Sequence, residues 1–236
     1  MAEILLVHGS WHGAWCWRDL IPELAARGHS ARAIDLPGHG DDPTPLPQAT
    51  LERYAEAILA ALAGPTVVVG HSMAGYPISL AAERDARNIT QLIYLCAYVP
   101  APGQSLADRR RAAPRQPLMH AITVDRASGS FIVDPAKART VFYQDCPPET
   151  VDYATARLGP EAILPQETAV TLGPTYARVP RHYIRCLRDQ AIPPEFQVTM
   201  TEDWPPAQIS EIDTGHSPFF AAPARLADLI DAALRQ

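Results

Sequence analysis

The chain has 236 residues, of which 47% are hydrophobic, and its formal net charge is −6. This composition is sufficient for a full core, which excludes a disordered chain, and the mildly acidic balance gives no general attraction to nucleic acid or to anionic membranes. The 24 prolines exclude a continuous helical bundle, because proline removes a backbone donor and blocks helix interiors.

Strand and helix patterns alternate over the first 96 residues. Predicted strands cover 4–7, 31–35, 66–69 and 89–96, and predicted helices cover 18–27, 51–62 and 72–83. Strands that alternate with helices of this length are typical of βαβ units, so the fold class is α/β with a mainly parallel sheet.

The N-terminus predicts a strand rather than a signal peptide, because no basic segment precedes its short apolar run. No run approaches the roughly 20 apolar residues that span a bilayer. We therefore expect a soluble, cytoplasmic protein with no membrane or nucleic-acid partner. The four cysteines, Cys16, Cys96, Cys146 and Cys186, stand far apart without metal-ligand spacing, so we expect reduced, buried thiols and no metal.

The alternation stops at residues 98–177, which are rich in proline. Because so long a stretch cannot be one structureless loop, it predicts an inserted cap, with the catalytic core formed by 1–97 and 178–236. Runs at 122–124 and 131–133 flank Ser128-Gly129 and predict a β-hairpin. The Arg109–Arg111 run predicts a solvated helix face, and a site for an acidic substrate group is the alternative. The alternation resumes with predicted strands at 182–186 and 208–212 and a final helix at 225–234.

The segment 70–75, Gly-His-Ser-Met-Ala-Gly, follows the third predicted strand and opens a helix. This setting is typical of the Gly-x-Ser-x-Gly nucleophile elbow, a sharp turn whose flanking residues must be small. Ser72 is therefore the predicted nucleophile. The turn raises its hydroxyl above the carboxyl-terminal edge of the sheet, beside the free N–H groups of a helix N-terminus.

A serine nucleophile needs a base and a group that orients the base. His216 lies in a loop between the last predicted strand and the last helix, at the same sheet edge as Ser72. Asp189 follows the strand at 182–186, and the order Ser, Asp, His is that of α/β-hydrolases. Asp213 and Glu202 are rival acids, but neither follows a strand end with a free loop.

The negative charge that develops during attack needs backbone donors. Met73 N–H, directly after the nucleophile, and Ser10 N–H, in the loop after the first strand, are the predicted oxyanion hole. The histidines of that loop, His8 and His12, are expected to brace it by hydrogen bonds. The predicted substrate-binding residues are Gly9, Trp11, His12, Leu118, Met119, Phe131 and Phe142.

Five segments carry a resemblance to a known family. They read Val-His-Gly-Ser-Trp-His-Gly-Ala-Trp at 7–15, Asp-Leu-Pro-Gly-His-Gly at 35–40, Gly-His-Ser-Met-Ala-Gly at 70–75, Pro-Glu-Phe-Gln at 194–197 and Gly-His at 215–216. Together they resemble the α/β-hydrolase superfamily, and more narrowly the plant methylesterase and hydroxynitrile lyase family with its bacterial esterase relatives. The resemblance implies an α/β-hydrolase fold with six strands and a cap, no cofactor and often a homodimer, and it supports Asp189 as the acid.

That family divides by chemistry. Its lyases of this type carry Thr where this chain has Gly9, and Lys directly after the catalytic histidine, where this chain has Ser217. Because the lyase needs the cation to stabilise departing cyanide, both differences favour a serine carboxylesterase acting on a small ester. A cofactor-free lyase that uses the same triad as a base, and a ligand sensor with little turnover, remain alternatives. Plant methylesterases commonly carry Met after the histidine, so the identity of the ester stays open.

Overall fold

The computed structural model describes residues 1–235, and its first half alternates strands and helices. The elements are β1 (Glu3–Val7), α1 (Leu20–Ala26), β2 (Ser30–Ile34), α2 (Leu51–Ala60), β3 (Thr66–His71), α3 (Gly75–Arg84) and β4 (Ile89–Leu95). Each strand and helix predicted for this half is confirmed to within a few residues. The α-helix predicted from residue 72 starts later, after a 3-10 turn over Ser72–Ala74, because the left-handed φ of 56° at Ser72 does not fit an α-helix.

Helix α2 shows how local sequence sets these boundaries. The Thr50 hydroxyl accepts a hydrogen bond from Arg53 N at 3.2 Å and caps the first turn. The apolar face carries Leu51, Tyr54 and Ile58, which are fully buried. Burial of one such side chain stabilises the fold by about 1.5–3 kcal/mol, so packing rather than the cap alone holds the helix.

Residues 98–177, called the cap segment from here on, lie between β4 and the next strand of the main sheet. They hold α4 (Leu106–Ala112), β5 (Ile122–Asp125), β6 (Ser130–Val133), α5 (Pro135–Val141), α6 (Pro148–Thr155), β7 (Glu161–Ala162), α7 (Ile163–Glu167) and α8 (Pro174–Ala177). Strands β5, β6 and β7 form a small antiparallel sheet. The predicted hairpin is confirmed, and Gly129 supplies the left-handed φ of 67° at its turn.

The arginine run of α4 departs from the prediction of a solvated face. Arg111 is exposed and pairs with Asp108 at 2.9 Å. Arg109 is half-buried, with its Nε donating to Val99 O at 3.1 Å. Arg110 is also half-buried and contacts Gln166 of α7. Helix periodicity alone does not reveal this, because α7 and β6 reach the helix from distant parts of the chain.

The chain ends with β8 (Arg181–Cys186), α9 (Pro194–Thr199), β9 (Ile209–Ile212), α10 (Pro218–Ala221) and α11 (Pro223–Ala233). The main sheet is parallel throughout, in the order β2-β1-β3-β4-β8-β9. Helices α5, α6, α8, α9, α10 and α11 all begin on a proline. Proline lacks an N–H, but the N–H at the first position of a helix has no partner within the helix anyway. Part of the high proline content is therefore accommodated at helix starts without loss of hydrogen bonds. Within residues 1–235, no helix has the length and apolarity needed to cross a membrane.

Two apolar layers sandwich the sheet. Alternate strand residues face opposite sides, so Leu5 and Val7 pack with α2 and α3, whereas Ile4 and Leu6 pack with α1 and α11. Three of the four cysteines are buried as predicted, and Cys146 is only half-buried. All parallel strands point their carboxyl ends to one edge, which is where the loops that carry Ser72, Asp189 and His216 emerge.

A buried ion pair joins the loop after β2 to the cap segment. His39 Nε2 lies 3.0 Å from Glu161 Oε2, and both side chains are almost completely buried. Burial lowers the pKa of His39, but the charge and hydrogen bond of Glu161 outweigh it, so the pKa is raised above the usual value. Stabilisation by this proton is therefore complete below the ordinary histidine pKa and is lost as the pH rises through the raised value.

The melting temperature of the Glu161→Gln variant should fall further below that of wild type at about pH 6 than at about pH 9. At the lower pH it breaks a buried pair, which costs about 3–5 kcal/mol, and this cost decreases as the pH rises through the raised pKa of His39 and the imidazole loses its proton. Scanning calorimetry at both pH values measures the difference. Asp152→Asn, which removes an exposed partner of Arg139, is the control and should change little at either pH. Equal losses at the two pH values would contradict the proposed titration of His39.

Candidate active site

Ser72 stands at the sharp turn between β3 and α3. Its φ of 56° is left-handed, a strained conformation for a serine, and it turns the chain from strand to helix. A Cβ on Gly70 would lie 2.7 Å from Ile78 Cδ1, and one on Gly75 would lie 2.0 Å from Tyr98 O. Both positions therefore require glycine. The residue two after Ser72 is Ala74, so the elbow departs from the literal Gly-x-Ser-x-Gly pattern, and its second glycine is one position later.

His216 reaches Ser72 from the loop between β9 and α10. Its Nε2 accepts a hydrogen bond from the Ser72 hydroxyl at 3.0 Å, and its Nδ1 donates to Asp189 Oδ2 at 2.7 Å. The imidazole is buried, and the His71 ring packs against it with 4.6 Å between ring centroids. His71 Nε2 also donates to His216 O at 2.9 Å, which fixes the backbone of the same residue.

Asp189 is fully buried in the turn after β8. Its Oδ1 accepts hydrogen bonds from Ala191 N at 2.6 Å and Ile192 N at 2.9 Å. Its Oδ2 accepts from Gln197 Nε2 at 3.0 Å as well as from His216. These four bonds hold the carboxylate in one orientation and aim one oxygen at the imidazole.

The rival carboxylates lie elsewhere. Asp213 is exposed and pairs with Arg188 at 3.0 Å. Glu202 is exposed beside β8 and β9. Of the three acids that the sequence offers, Asp189 is the one that contacts His216.

The loop after β1 lies against the nucleophile. A Cβ on Gly9 would come within 2.8 Å of Ser72 Cβ and 2.9 Å of His71 Nδ1, so only glycine allows this approach. Ser10 is buried next to it, and Trp11 turns the loop with a φ of 64°. Met73 is the second residue of the turn that opens the helix, where N–H groups lack intrahelical acceptors. The predicted oxyanion donors thus flank Ser72 on two sides.

Gly9→Ala should lower kcat/KM for ester hydrolysis by roughly 100-fold. The added methyl group cannot fit beside Ser72, so it displaces the loop that carries the Ser10 amide. Steady-state kinetics measures the loss. Gly64→Ala is the matched control, because a Cβ there meets no atom within 4 Å. If both variants kept wild-type rates, the Ser10 loop would not form part of the oxyanion site.

Three further histidines surround the site, and burial keeps each of them neutral. Burial lowers the pKa of His12 to about 4, and it lowers the pKa values of His8 and His71 well below the usual range. His12 Nδ1 donates to Ser10 O at 2.7 Å, and His12 Nε2 accepts from Tyr143 OH at 2.7 Å. His8 Nδ1 donates to Gly9 O at 2.8 Å. The hydrogen bonds expected to brace this loop are therefore present.

The predicted substrate-binding residues fall into two groups. Phe142 adjoins the triad, with 5.6 Å between its ring centroid and that of His216, and Trp11 stacks on Phe142 with 5.8 Å between ring centroids. Leu118 and Phe131 are buried in the cap segment, whereas Met119 is 38% exposed. Gly9 adjoins Ser72, and both ring nitrogens of His12 are bonded to the protein. Their contact with substrate stays a prediction.

The sequence interpretation missed three residues of the cap segment that hold the site loops. Gln166 is buried and its Nε2 donates to Ser10 Oγ at 3.0 Å. Tyr143 bonds His12, as described above. Asp145 Oδ2 accepts from Gly215 N at 2.6 Å, next to His216. These residues are distant in sequence from their partners and belong to no local motif, so no signal in the chain marked them.

One group of side chains could in principle offer metal ligands. Ligand atoms of His71, Cys96 and His216 lie within 4.8 Å of one another, and all three residues are buried. Both nitrogens of His216 already bond Ser72 and Asp189, and His71 Nε2 bonds the protein backbone. Burial raises the pKa of the Cys96 thiol well above its usual value, which disfavours the thiolate that binds metals. This donor set does not fit a metal ion.

Comparison with known proteins gives consistent results along the whole chain. A family model described as "Alpha/beta hydrolase family" matches residues 4–229. Methyl jasmonate esterase 1 of Vitis vinifera is 32% identical, over 95% of this chain and 93% of its own. The pyrethroid hydrolase of Sphingobium wenxiniae is 29% identical, over 98% of this chain and 86% of its own. The crystal structure of polyneuridine aldehyde esterase superposes with a TM-score of 0.85 at 26% identity, covering 98% of each chain.

Proposed function

The chain belongs to the alpha/beta hydrolase family as a carboxylic ester hydrolase, and from this premise we propose that it is a serine carboxylesterase working through Ser72, His216 and Asp189. The observation that carries the proposal is the continuous hydrogen-bonded chain from the Ser72 hydroxyl through both imidazole nitrogens to the buried Asp189 carboxylate. Two of the relatives named above, methyl jasmonate esterase 1 and polyneuridine aldehyde esterase, are esterases, which supports the same class of substrate here.

The first half-reaction acylates the enzyme. Ser72 Oγ attacks the ester carbonyl carbon while His216 Nε2 removes its proton. Asp189 stabilises the imidazolium that forms and keeps Nδ1–H in place. The Ser10 and Met73 amides donate to the oxyanion, and one such donor typically contributes about 3–4 kcal/mol to transition-state stabilisation. His216 then protonates the departing alcohol, which leaves an acyl group on Ser72.

The second half-reaction uses water. His216 removes a proton from the water as the water oxygen attacks the acyl carbonyl, and it then gives that proton to Ser72 Oγ as the acyl–oxygen bond breaks and the carboxylic acid leaves. The neighbouring histidines stay neutral through burial, so His216 is the group of this cluster that exchanges protons. Phe142, itself covered by Trp11, excludes solvent beside it, which strengthens the electrostatic contacts in the site.

A panel of methyl, aryl and lactone esters of small acids tests the proposal. We expect initial-rate kinetics to find at least one ester that is cleaved with saturation and with a burst of alcohol, the signature of an acyl-enzyme. The same panel includes mandelonitrile. Release of cyanide from mandelonitrile without turnover of any ester would overturn the proposal in favour of a lyase, and binding without turnover would favour a ligand sensor.

Ester hydrolysis should also fall as the pH decreases. His216 must be neutral to accept the Ser72 proton, and protonation removes its lone pair at Nε2. The profile of kcat/KM against pH should therefore decline on its acid side. A profile of kcat/KM that stays flat from roughly pH 5 to 8 would show that His216 is not the general base.

A further inference from the structure

Arg110 carries a half-buried charge that forms no direct ion pair within the described part of the chain. Among residues 1–235, no Asp or Glu lies within salt-bridge distance of its guanidinium, whereas the neighbouring Arg111 pairs with Asp108. Arg110 Nε is buried without a hydrogen-bond partner. Its Nη1 donates to Gln166 Oε1 at 3.5 Å, the limit for such a bond. A guanidinium in these surroundings favours an anion that can accept from its free N–H groups.

A cavity of about 420 Å³ opens beside this guanidinium. Its walls are formed by Arg110, Arg111, Gln116, Met119, Val124, Arg126, Phe131, Ile163 and Glu167. Three guanidinium groups therefore face one carboxylate, and the remaining wall is largely apolar. Arg110 also lies over the Phe131 ring, 5.6 Å from its centroid. This combination suits an organic anion with a hydrocarbon body better than a bare inorganic ion.

Two residues connect this cavity with the loop after β1, which carries Ser10 and Trp11. Gln166, which contacts Arg110 through its Oε1, donates through Nε2 to Ser10 Oγ at 3.0 Å. Phe131, part of the cavity wall, accepts at its carbonyl oxygen from Trp11 Nε1 at 3.0 Å. Ser10 and Trp11 are consecutive residues of the loop that lies against Ser72. The cationic cavity and the reacting centre thus share one layer of side chains.

Tyr98 gives an independent indication that the two places are close. Its backbone N donates to Ser72 O at 3.0 Å. Burial raises the pKa of its phenol well above the ordinary value, and the nearby charges of Arg110 and Asp189 both act on that pKa. One side chain therefore lies within electrostatic range of the cavity's guanidinium and of the triad's acid.

We propose that Arg110 binds a carboxylate of the substrate, so that the preferred ester has a second, anionic end, as in the monoester of a dicarboxylic acid. The inference rests on the proposed function and adds the chemical class of its substrate. Arg110 receives the carboxylate, the hydrocarbon body packs on Phe131, and the ester group reaches Ser72. A neutral diester lacks the charge-assisted hydrogen bonds and loses binding energy at that end.

Kinetics with paired substrates tests this specificity. The monomethyl esters of straight-chain dicarboxylic acids, from succinate to suberate, are each compared with the dimethyl ester of the same acid. Wild type should prefer the monoester at the best chain length, and Arg110→Gln should reduce the ratio of the two kcat/KM values by roughly 10- to 100-fold. Arg139→Gln, which changes an exposed arginine elsewhere in the cap segment, should leave the ratio as in wild type. A ratio that Arg110→Gln does not change would overturn the inference.

Calorimetry separates this inference from the proposed function. Monomethyl adipate is titrated into the Ser72→Ala protein and into the same protein with Arg110→Gln added. We expect Kd to rise by roughly 10-fold or more with the second substitution. Turnover of neutral esters with no effect of Arg110 on binding would overturn the inference alone. Absence of any ester turnover, with monoester binding that depends on Arg110, would overturn the proposed function alone. Inorganic phosphate that binds as tightly as the monoester would indicate a simple anion site and overturn the substrate assignment.

Discussion

Replacing Ser72 with alanine is expected to lower kcat for ester hydrolysis by at least about 10⁴-fold. The variant keeps the loop geometry and the oxyanion donors but has no oxygen that can form the acyl-enzyme. The residual rate is therefore that of direct attack by water. The assay is hydrolysis of p-nitrophenyl acetate under saturating conditions, followed together with the burst of p-nitrophenol that reports acylation.

The same variant should melt within a few degrees of wild type. The Ser72 side chain is only half-buried, and alanine accepts the positive φ about as well as serine does. Ser30→Ala, on the exposed edge strand β2, is the control and should keep full activity. Wild-type turnover by Ser72→Ala would show that Ser72 is not the nucleophile. Loss of both activity and folding would show that the serine side chain is needed to form the strained turn.

Asp189→Asn is expected to reduce kcat by roughly 10⁴-fold, the loss seen when a triad aspartate is replaced by its amide. The amide can donate to His216 Nδ1, which favours the tautomer with the proton on Nε2. That nitrogen then cannot accept the Ser72 proton. Near-normal KM with a large loss in kcat is the expected split, because the substituted group does not touch the ester.

Asp213→Asn is the matched control for this variant. Asp213 lies three residues before His216 in the chain, but it is exposed and pairs with Arg188, so its replacement should leave kcat within about 2-fold of wild type. If Asp213→Asn were the more damaging of the two, the acid of the triad would have to be reassigned.

The sheet and the meeting of Ser72, His216 and Asp189 could be predicted from the sequence because their signals are local. The β-branched run Val67–Val69 leads directly into the 70–75 segment, so Ser72 follows a strand end. The carboxyl ends of parallel strands all lie at one edge of the sheet. The position of Asp189 in a free loop after the strand predicted at 182–186 then separates it from its rivals, Glu202 and Asp213, before any coordinates are known. Gln197, which donates a hydrogen bond to the Asp189 carboxylate, lies in the Pro-Glu-Phe-Gln segment, which the sequence already marks as part of the family resemblance.

The contacts that complete the site could not be predicted, because their partners come from distant parts of the chain. Gln166 and Ser10 are 156 positions apart, and His39 and Glu161 are 122 apart. Glu161 belongs to a strand of two residues, too short for any periodicity. The partial burial of Arg109 and Arg110 is likewise invisible in an Arg-Arg-Arg run, since tertiary packing decides which of the identical side chains are covered.

The placement of the cap segment between neighbouring strands bears on protein engineering. Leu95 near its start and Ile184 just beyond its end are paired across β4 and β8, so the chain leaves and re-enters the sheet at adjacent points. Segments of other lengths could be grafted there, because loop-closure entropy rises only slowly with length. A chimera would nevertheless inherit an unsupported active site. Ser10, Trp11, His12, His39 and Gly215 each bond to the native segment, and a useful graft would have to supply those five partners anew.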